Sequence, residues 1–266
     1  MAYLAHVGTG AGGSDAFVSG ISDLVSYTCN KGPRVATISV DGQWIEIRNP
    51  DGDFSLMHRV FVGDADGLTA PGRLELGVYQ GSLALLSFGP QGAPMVAHVL
   101  NANGRVAYSA PVQGAAGRIS CMERIEAAGG KVLVFTAGQD SDGITCWQER
   151  DDGTWAFEAV LDLGGAIGAR DVADMAQVTA HGATWLVTLS AQDNAVNLLQ
   201  ISAGGQVSLA HRLDAAGGLP VSNPTAVDVV QMGGKTFVLM AAAGTSSISV
   251  MQVQAAGKLA LVDQVN

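Results

Sequence analysis

Apolar and polar positions along the chain fall into short runs with two textures, and the two alternate in a fixed order. The most apolar runs are near-continuous: Leu83-Ala-Leu-Leu86, Val132-Leu-Val-Phe135, Trp185-Leu-Val187 and Phe237-Val-Leu-Met240. Such runs predict strands covered on both faces. Other runs alternate, as in Phe54-Ser-Leu-Met-His-Arg-Val60, which predicts a half-exposed edge strand. Residues 121–160 show one full set. Cys121–Ala127 precedes a Gly129-Gly130 turn, and Lys131–Thr136 follows it. Ile144–Gln148 leads into an Arg150-Asp-Asp-Gly153 turn, and Trp155–Val160 completes the set. Gly and Asx at these turns supply the positive φ that hairpins need. Long helical periodicity is absent; the best helical stretch, Ser14–Leu24, is short and interrupted by glycine.

The set repeats. Glycines at 52, 104, 153, 205 and 257 are spaced by 52, 49, 52 and 52 residues, and each is followed eight residues later by Val or Leu. A second series, Gly32, Gly81, Gly130, Gly182 and Gly234, keeps spacings of 49, 49, 52 and 52. Two independent landmarks holding one period predict five repeats of four antiparallel strands, an all-β five-bladed β-propeller. A β-sandwich is the alternative, but it does not account for a strict four-strand period. The blades are placed at about 20–63, 72–113, 120–163, 172–214 and 224–266 of a single domain, 1–266. Residues 1–8 form a predicted extra N-terminal strand, because Tyr3, Ala5 and Val7 match the phase of Tyr108, Ala110 and Val112. That strand and Lys258–Val265 compete for one edge. One of them adds a fifth strand to the last blade, or one pairs with another copy or another protein.

Composition narrows the class. Apolar residues make up 48% of 266 residues and charged ones 14%, so the chain has material for a core and is not a disordered segment. No apolar run approaches 18 residues, which predicts no membrane span. The net charge of −10 argues against nucleic acid as a partner. The start, Met1-Ala-Tyr-Leu-Ala-His6, shows no secretory signal. Cys29, Cys121 and Cys146 cannot all pair and have no metal-site spacing. The five histidines are scattered, with His6, His58 and His211 on the fourth strands of different blades, and no nucleotide, metalloprotease or hydrolase fingerprint occurs. The expectation is therefore no cofactor and no metal.

Chemistry is sought on loops. The loops joining second to third strands contain Asp41, Gln91, Asp140, Asp142, Asp193 and Asn194; those joining successive blades contain Arg73, Arg118 and Arg170. In a propeller these two sets share one rim, and short polar side chains there suit hydrogen bonding to hydroxyl-rich ligands. The same residues are also ordinary turn formers. Trp155, opening a fourth strand, is the tryptophan expected to be exposed for stacking on sugars, whereas Trp44, Trp147 and Trp185 are expected in the core. One acid falls near each predicted channel strand: Asp23, Glu75, Glu123, Asp174 and Asp228. A hydrolase would need two of them at a defined separation, and their unequal offsets from the glycine landmark do not establish one.

The run Gly129-Gly-Lys-Val-Leu-Val-Phe-Thr-Ala-Gly-Gln-Asp-Ser-Asp-Gly143 with Ile144–Gln148, and more loosely Gly182–Gln200 and Gly233–Gln252, resembles the propeller-type repeats of bacterial hemolysin-type (RTX) calcium-binding proteins. The calcium-binding nonapeptides are missing, so the resemblance does not imply bound calcium. It implies an adhesive propeller without catalysis on a secreted or surface protein. The expected function is a non-enzymatic binding or adhesion module, extracellular or on a particle surface, that recognises glycan or a cell-surface component. The alternatives are a polysaccharide hydrolase or lyase with channel carboxylates, and a structural subunit such as a phage-like particle spike.

Overall fold

The structure, a computed structural model, describes residues 20–39, 43–51, 54–62, 72–89, 95–112, 119–138, 143–152, 154–162 and 170–265. The N-terminal strand expected over 1–8 lies outside them. The chain divides into two compact units, residues 1–116 and 117–266.

The N-terminal unit holds two sheets. The first is β1 (Ile21–Cys29), β2 (Gly32–Ser39), β3 (Trp44–Arg48) and β4 (Leu56–Phe61). The second is β5 (Arg73–Tyr79), β6 (Ser82–Phe88), β7 (Val96–Leu100) and β8 (Val106–Pro111). The C-terminal unit holds three. These are β9 (Cys121–Glu126), β10 (Val132–Ala137), β11 (Gly143–Glu149) and β12 (Trp155–Asp162); β13 (Val172–Ala180), β14 (Ala183–Ser190), β15 (Ala195–Ile201) and β16 (Val207–Leu213); and β17 (Pro224–Met232), β18 (Lys235–Ala242), β19 (Ser247–Gln254) and β20 (Lys258–Val265). Within every sheet the strands pair antiparallel in chain order, with no Greek-key crossover. The fold is all-β and matches a five-bladed propeller, one meander per blade; the sandwich alternative falls.

The sequence period has a structural counterpart in each sheet. The landmark glycines close the first hairpin of each meander at positive φ, from 73° to 98°, where a side chain would be strained. Every pairing of a third with a fourth strand also carries a register shift, at Ile47/Arg48, Val99/Leu100, Cys146/Trp147, Leu198/Leu199 and Val250/Met251. A bulge there increases the twist of the outermost strand.

Apolar cores lie between consecutive sheets of one unit. Tyr27, Ile38, Ile45 and Ile47 of the first sheet meet Leu74, Leu85 and Leu100 of the second. Phe135 and Ile144 meet Leu186 and Leu199, and Trp185 and Val187 meet Met240 and Met251. Backbone bonds stitch the same seams: the Asn30 amide donates to the Ala102 carbonyl (3.1 Å) and the Gly129 amide to the Ala203 carbonyl (3.2 Å). In the first seam the Tyr27 hydroxyl also donates to the Gly104 carbonyl (2.7 Å).

One strand departs from expectation. Strands β6, β10 and β14 are covered on both faces, as their continuous apolar runs predict, but β18 alternates between buried and half-exposed positions. Its sheet leaves Val230, Met232, Ile248 and Val265 exposed. Among the cysteines, Cys121 and Cys146 are buried thiols and Cys29 is half-buried; none of the three is in a disulfide.

Candidate functional site

Three of the predicted rim residues, Arg170, Asp193 and Asn194, fall in one loop cluster of the C-terminal unit. Arg170 precedes β13, and Asp193 and Asn194 form the β14–β15 turn. The Arg170 guanidinium donates to Asp193 Oδ1 through Nη2 (2.5 Å) and Nε (3.0 Å), while its backbone amide donates to Oδ2 (3.2 Å). Ser190, the last residue of β14, shares its single hydroxyl hydrogen between the Arg170 carbonyl (Oγ to O 2.6 Å) and Asp193 Oδ2 (3.0 Å). Asn194 Oδ1 accepts from the Asn223 amide (2.7 Å), which ties the turn to the loop before β17. The Asp193 side chain is 6% exposed and that of Arg170 is 49% exposed. Burial alone would raise the Asp193 carboxyl, but the Arg170 guanidinium and amide and the Ser190 hydroxyl outweigh it and hold it below the usual range. The result is a buried carboxylate fixing a half-exposed arginine side chain.

Of the other predicted site residues, two are described, Arg73 and Trp155. Arg73 opens β5 in the N-terminal unit. Asp41, Gln91, Asp140, Asp142 and Arg118 lie outside the described residues. Trp155 corrects the expectation placed on it: it is 7% exposed, with its ring centroid 6.5 Å from that of Trp147. It starts β12 opposite Glu149, and cross-strand neighbours on the same face cover it, so it offers no open face to a sugar. Ser190 and Asn223 belong to the cluster and carry no distinguishing signal in the sequence, because a serine or asparagine at a strand end looks like any other turn former.

The five acids near the channel strands all lie on first strands, and the role of four is visible. Asp23 accepts the Leu24 amide at Oδ1 (2.8 Å) and the Leu74 amide of the next sheet at Oδ2 (3.0 Å). Asp174 repeats this with Met175 (3.0 Å) and Val227 (2.9 Å). Both follow a bulge in the first pairing of their sheet, which turns the carboxylate toward the neighbouring sheet. Glu75 accepts the Leu76 amide and Asp228 the Val229 amide, each from the following residue. Asp174→Ala leaves the Val227 amide without its carboxylate and is expected to lower stability by about 2 kcal/mol, against about 0.5 kcal/mol or less for Asp228→Ala. Urea unfolding of the two variants checks this; equal effects would refute the clamp.

Among the described residues no group of three or more His, Cys, Asp or Glu is placed to hold a metal ion. No helix there is long and apolar enough to cross a membrane.

No protein-family model matches the chain, and no curated protein matches it in sequence. Solved structures do share its fold. A putative 6-phosphogluconolactonase from Bacteroides fragilis is 15% identical, over 90% of this chain and 69% of its own, with a TM-score of 0.62. A periplasmic gluconolactonase from Pseudomonas aeruginosa is 18% identical, over 90% and 69%, with a TM-score of 0.58. A functionally unknown protein from Desulfotomaculum acetoxidans is 12% identical, over 92% and 69%, with a TM-score of 0.60. At such identities the likeness shows the propeller fold alone.

Proposed function

We propose that the chain is a non-enzymatic propeller module that binds a glycan or another hydroxyl-rich cell-surface component through the Arg170–Asp193–Asn194 loop cluster. The observation that carries this reading is the fixed arginine: a nearly buried carboxylate, Asp193, orients the half-exposed Arg170 side chain, and the next residue, Asn194, is tied to the loop before β17. A donor held in place before binding loses little conformational freedom when a ligand arrives. The hydrolase alternative has less support. Asp23 and Asp174, two of the carboxylates it would draw on, each hold two backbone amides, one on each oxygen, which commits both side chains to joining neighbouring sheets. The resemblance to RTX propeller repeats fits an adhesive role at a secreted or particle surface.

A glycan or capsule array probed with the full chain tests this. Retention on a subset of glycans is expected, weakened about fivefold in Arg170→Ala, the effect of losing one rim contact of about 1 kcal/mol. Absence of retention, or retention unchanged in Arg170→Ala, would refute the reading. So would turnover of a polysaccharide that falls in Asp174→Asn.

A further inference from the structure

The N-terminal unit contains a cationic cavity remote in sequence from the rim cluster. Lys31 of the β1–β2 turn, Arg34 of β2, Met57 of β4, and Asn103 and Arg105 of the β7–β8 connection line a space of about 430 Å³. Arg34 is 4% exposed. Its Nη1 donates to the Pro33 carbonyl (2.6 Å) and its Nη2 to the Lys31 carbonyl (3.2 Å), which positions the guanidinium without neutralising it. Its Nε is buried and has no hydrogen-bond partner. Among the described residues no carboxylate pairs with Lys31, Arg34 or Arg105. A buried guanidinium facing further cations is unfavourable unless an anion completes the set, and here it occurs in a protein of net charge −10. The charge of Arg105 is felt locally: after burial, it is the second cause holding His58 below the usual histidine range.

The repeat supplies a comparison within the molecule. The corresponding seam of the C-terminal unit has a cavity of about 620 Å³ lined by Lys131, Glu158, Gln200 and Gln206 among others. There Lys131 Nζ lies 3.1 Å from Glu158 Oε2, so the cation is paired. Counted from the turn glycines, Glu158 stands five residues after Gly153 as Met57 stands five after Gly52, and Gln206 follows Gly205 as Arg105 follows Gly104. In the first seam, then, the neutralising acid is replaced by methionine and the neutral amide by arginine.

We infer that the Lys31–Arg34–Arg105 cavity binds the phosphate or sulfate group of a small molecule. These cations suit a tetrahedral oxyanion: the Arg105 fork can offer two parallel donors, Arg34 keeps an unpartnered Nε–H, and Lys31 adds a point charge. The volume lies in the range of small-molecule sites and exceeds the need of one bare ion, leaving room, bordered by Met57 and Asn103, for the group that carries the anion.

Calorimetric titration of the full chain at constant ionic strength tests this, with inorganic phosphate, sulfate, glucose 6-phosphate and glucose as probes. Saturable one-to-one binding of at least one of the three anions is expected, and none of glucose. Binding of the two phosphate probes without sulfate, or of sulfate alone, supports the site and identifies its anion. Met57→Glu restores the acid of the sister seam, and Arg105→Gln removes an exposed cation. Each is expected to weaken binding about tenfold or more. Arg170→Ala leaves it unchanged, which separates this site from the rim cluster. No saturable binding of any anion, or equal affinity in both Met57→Glu and Arg105→Gln, overturns the inference.

Discussion

Taking the protein from about pH 7 down to pH 4 is expected to remove about 3 kcal/mol of stability through one residue, His98. This histidine sits on β7 with no exposed surface. Ser87 Oγ lies 2.8 Å from its Nε2 and Ser109 Oγ 2.7 Å from its Nδ1. A neutral imidazole matches two hydroxyls well, donating from one nitrogen and accepting at the other. An imidazolium would bring a buried positive charge with no carboxylate at either nitrogen. Burial accordingly pushes its pKa down to about 4 from 6.5. Between those values the unfolded chain binds a proton that the folded chain refuses, so the stability is fully present above 6.5 and is lost as the pH falls to 4. Each unit of the shift is worth about 1.4 kcal/mol. Urea midpoints measured from about pH 7 to about pH 4.5 report the slope. His58 and His211, also lowered first by burial, add loss of the same sign. The discriminating measurement is therefore the difference from His98→Gln, whose curve should be much flatter across this window. An unchanged slope in His98→Gln would show that the proton is taken up elsewhere.

How much of this is readable in the sequence depends on the range of the interaction concerned. Strand order and turns are legible because they are local: the hairpin at Gly182 needs a residue tolerant of positive φ, and the runs on either side need one covered face. The half-exposed positions of β18 are not legible. Phe237-Val-Leu-Met240 is as apolar as Val132-Leu-Val-Phe135, and apolarity alone does not say how far each side chain is covered. The exposure expected of Trp155 fails for a related reason: its cover comes from Trp147 across the strand pair, a register fact. The rim cluster is half legible, since Arg170 and Asp193 fall in loops that the repeat places on one side, but Ser190, which binds both, carries no signal of its own. Asp23 and Asp174 stand out as first-strand acids, and their use as clamps becomes visible only with the bulge beside each. The cationic cavity draws on residues from position 31 to position 105. It is legible in the sequence only when repeats are compared with one another, and then through what is missing at Met57.

The largest effect expected from a single methyl group is at Gly257, where Ala should destabilise the C-terminal unit by about 4 kcal/mol. Two causes add. Gly257 sits at φ 69°, a conformation that costs an L-residue about 1–2 kcal/mol. A Cβ built there would also overlap Cη2 and Cζ3 of Trp185 and come within 3.2 Å of the Ala210 Cβ. Trp185 cannot swing away, because it is 5% exposed and packed among Val187, Met240 and Met251; forcing extra volume into such a core costs about 1–3 kcal/mol. Gly182 separates the two causes. It has φ 75°, but nothing lies within 4 Å of the point a Cβ would occupy, so Gly182→Ala should show the backbone strain alone, about 1 kcal/mol. A second-site change then tests the steric part. The Trp185 indole nitrogen is buried without a partner, so Trp185→Phe sacrifices no hydrogen bond while withdrawing the ring edge that Gly257 abuts. The double variant Gly257→Ala/Trp185→Phe should therefore be less destabilised than the sum of its parts, by about 1–2 kcal/mol. Strict additivity in urea unfolding would mean that the backbone conformation, and not the tryptophan, is what reserves this position for glycine.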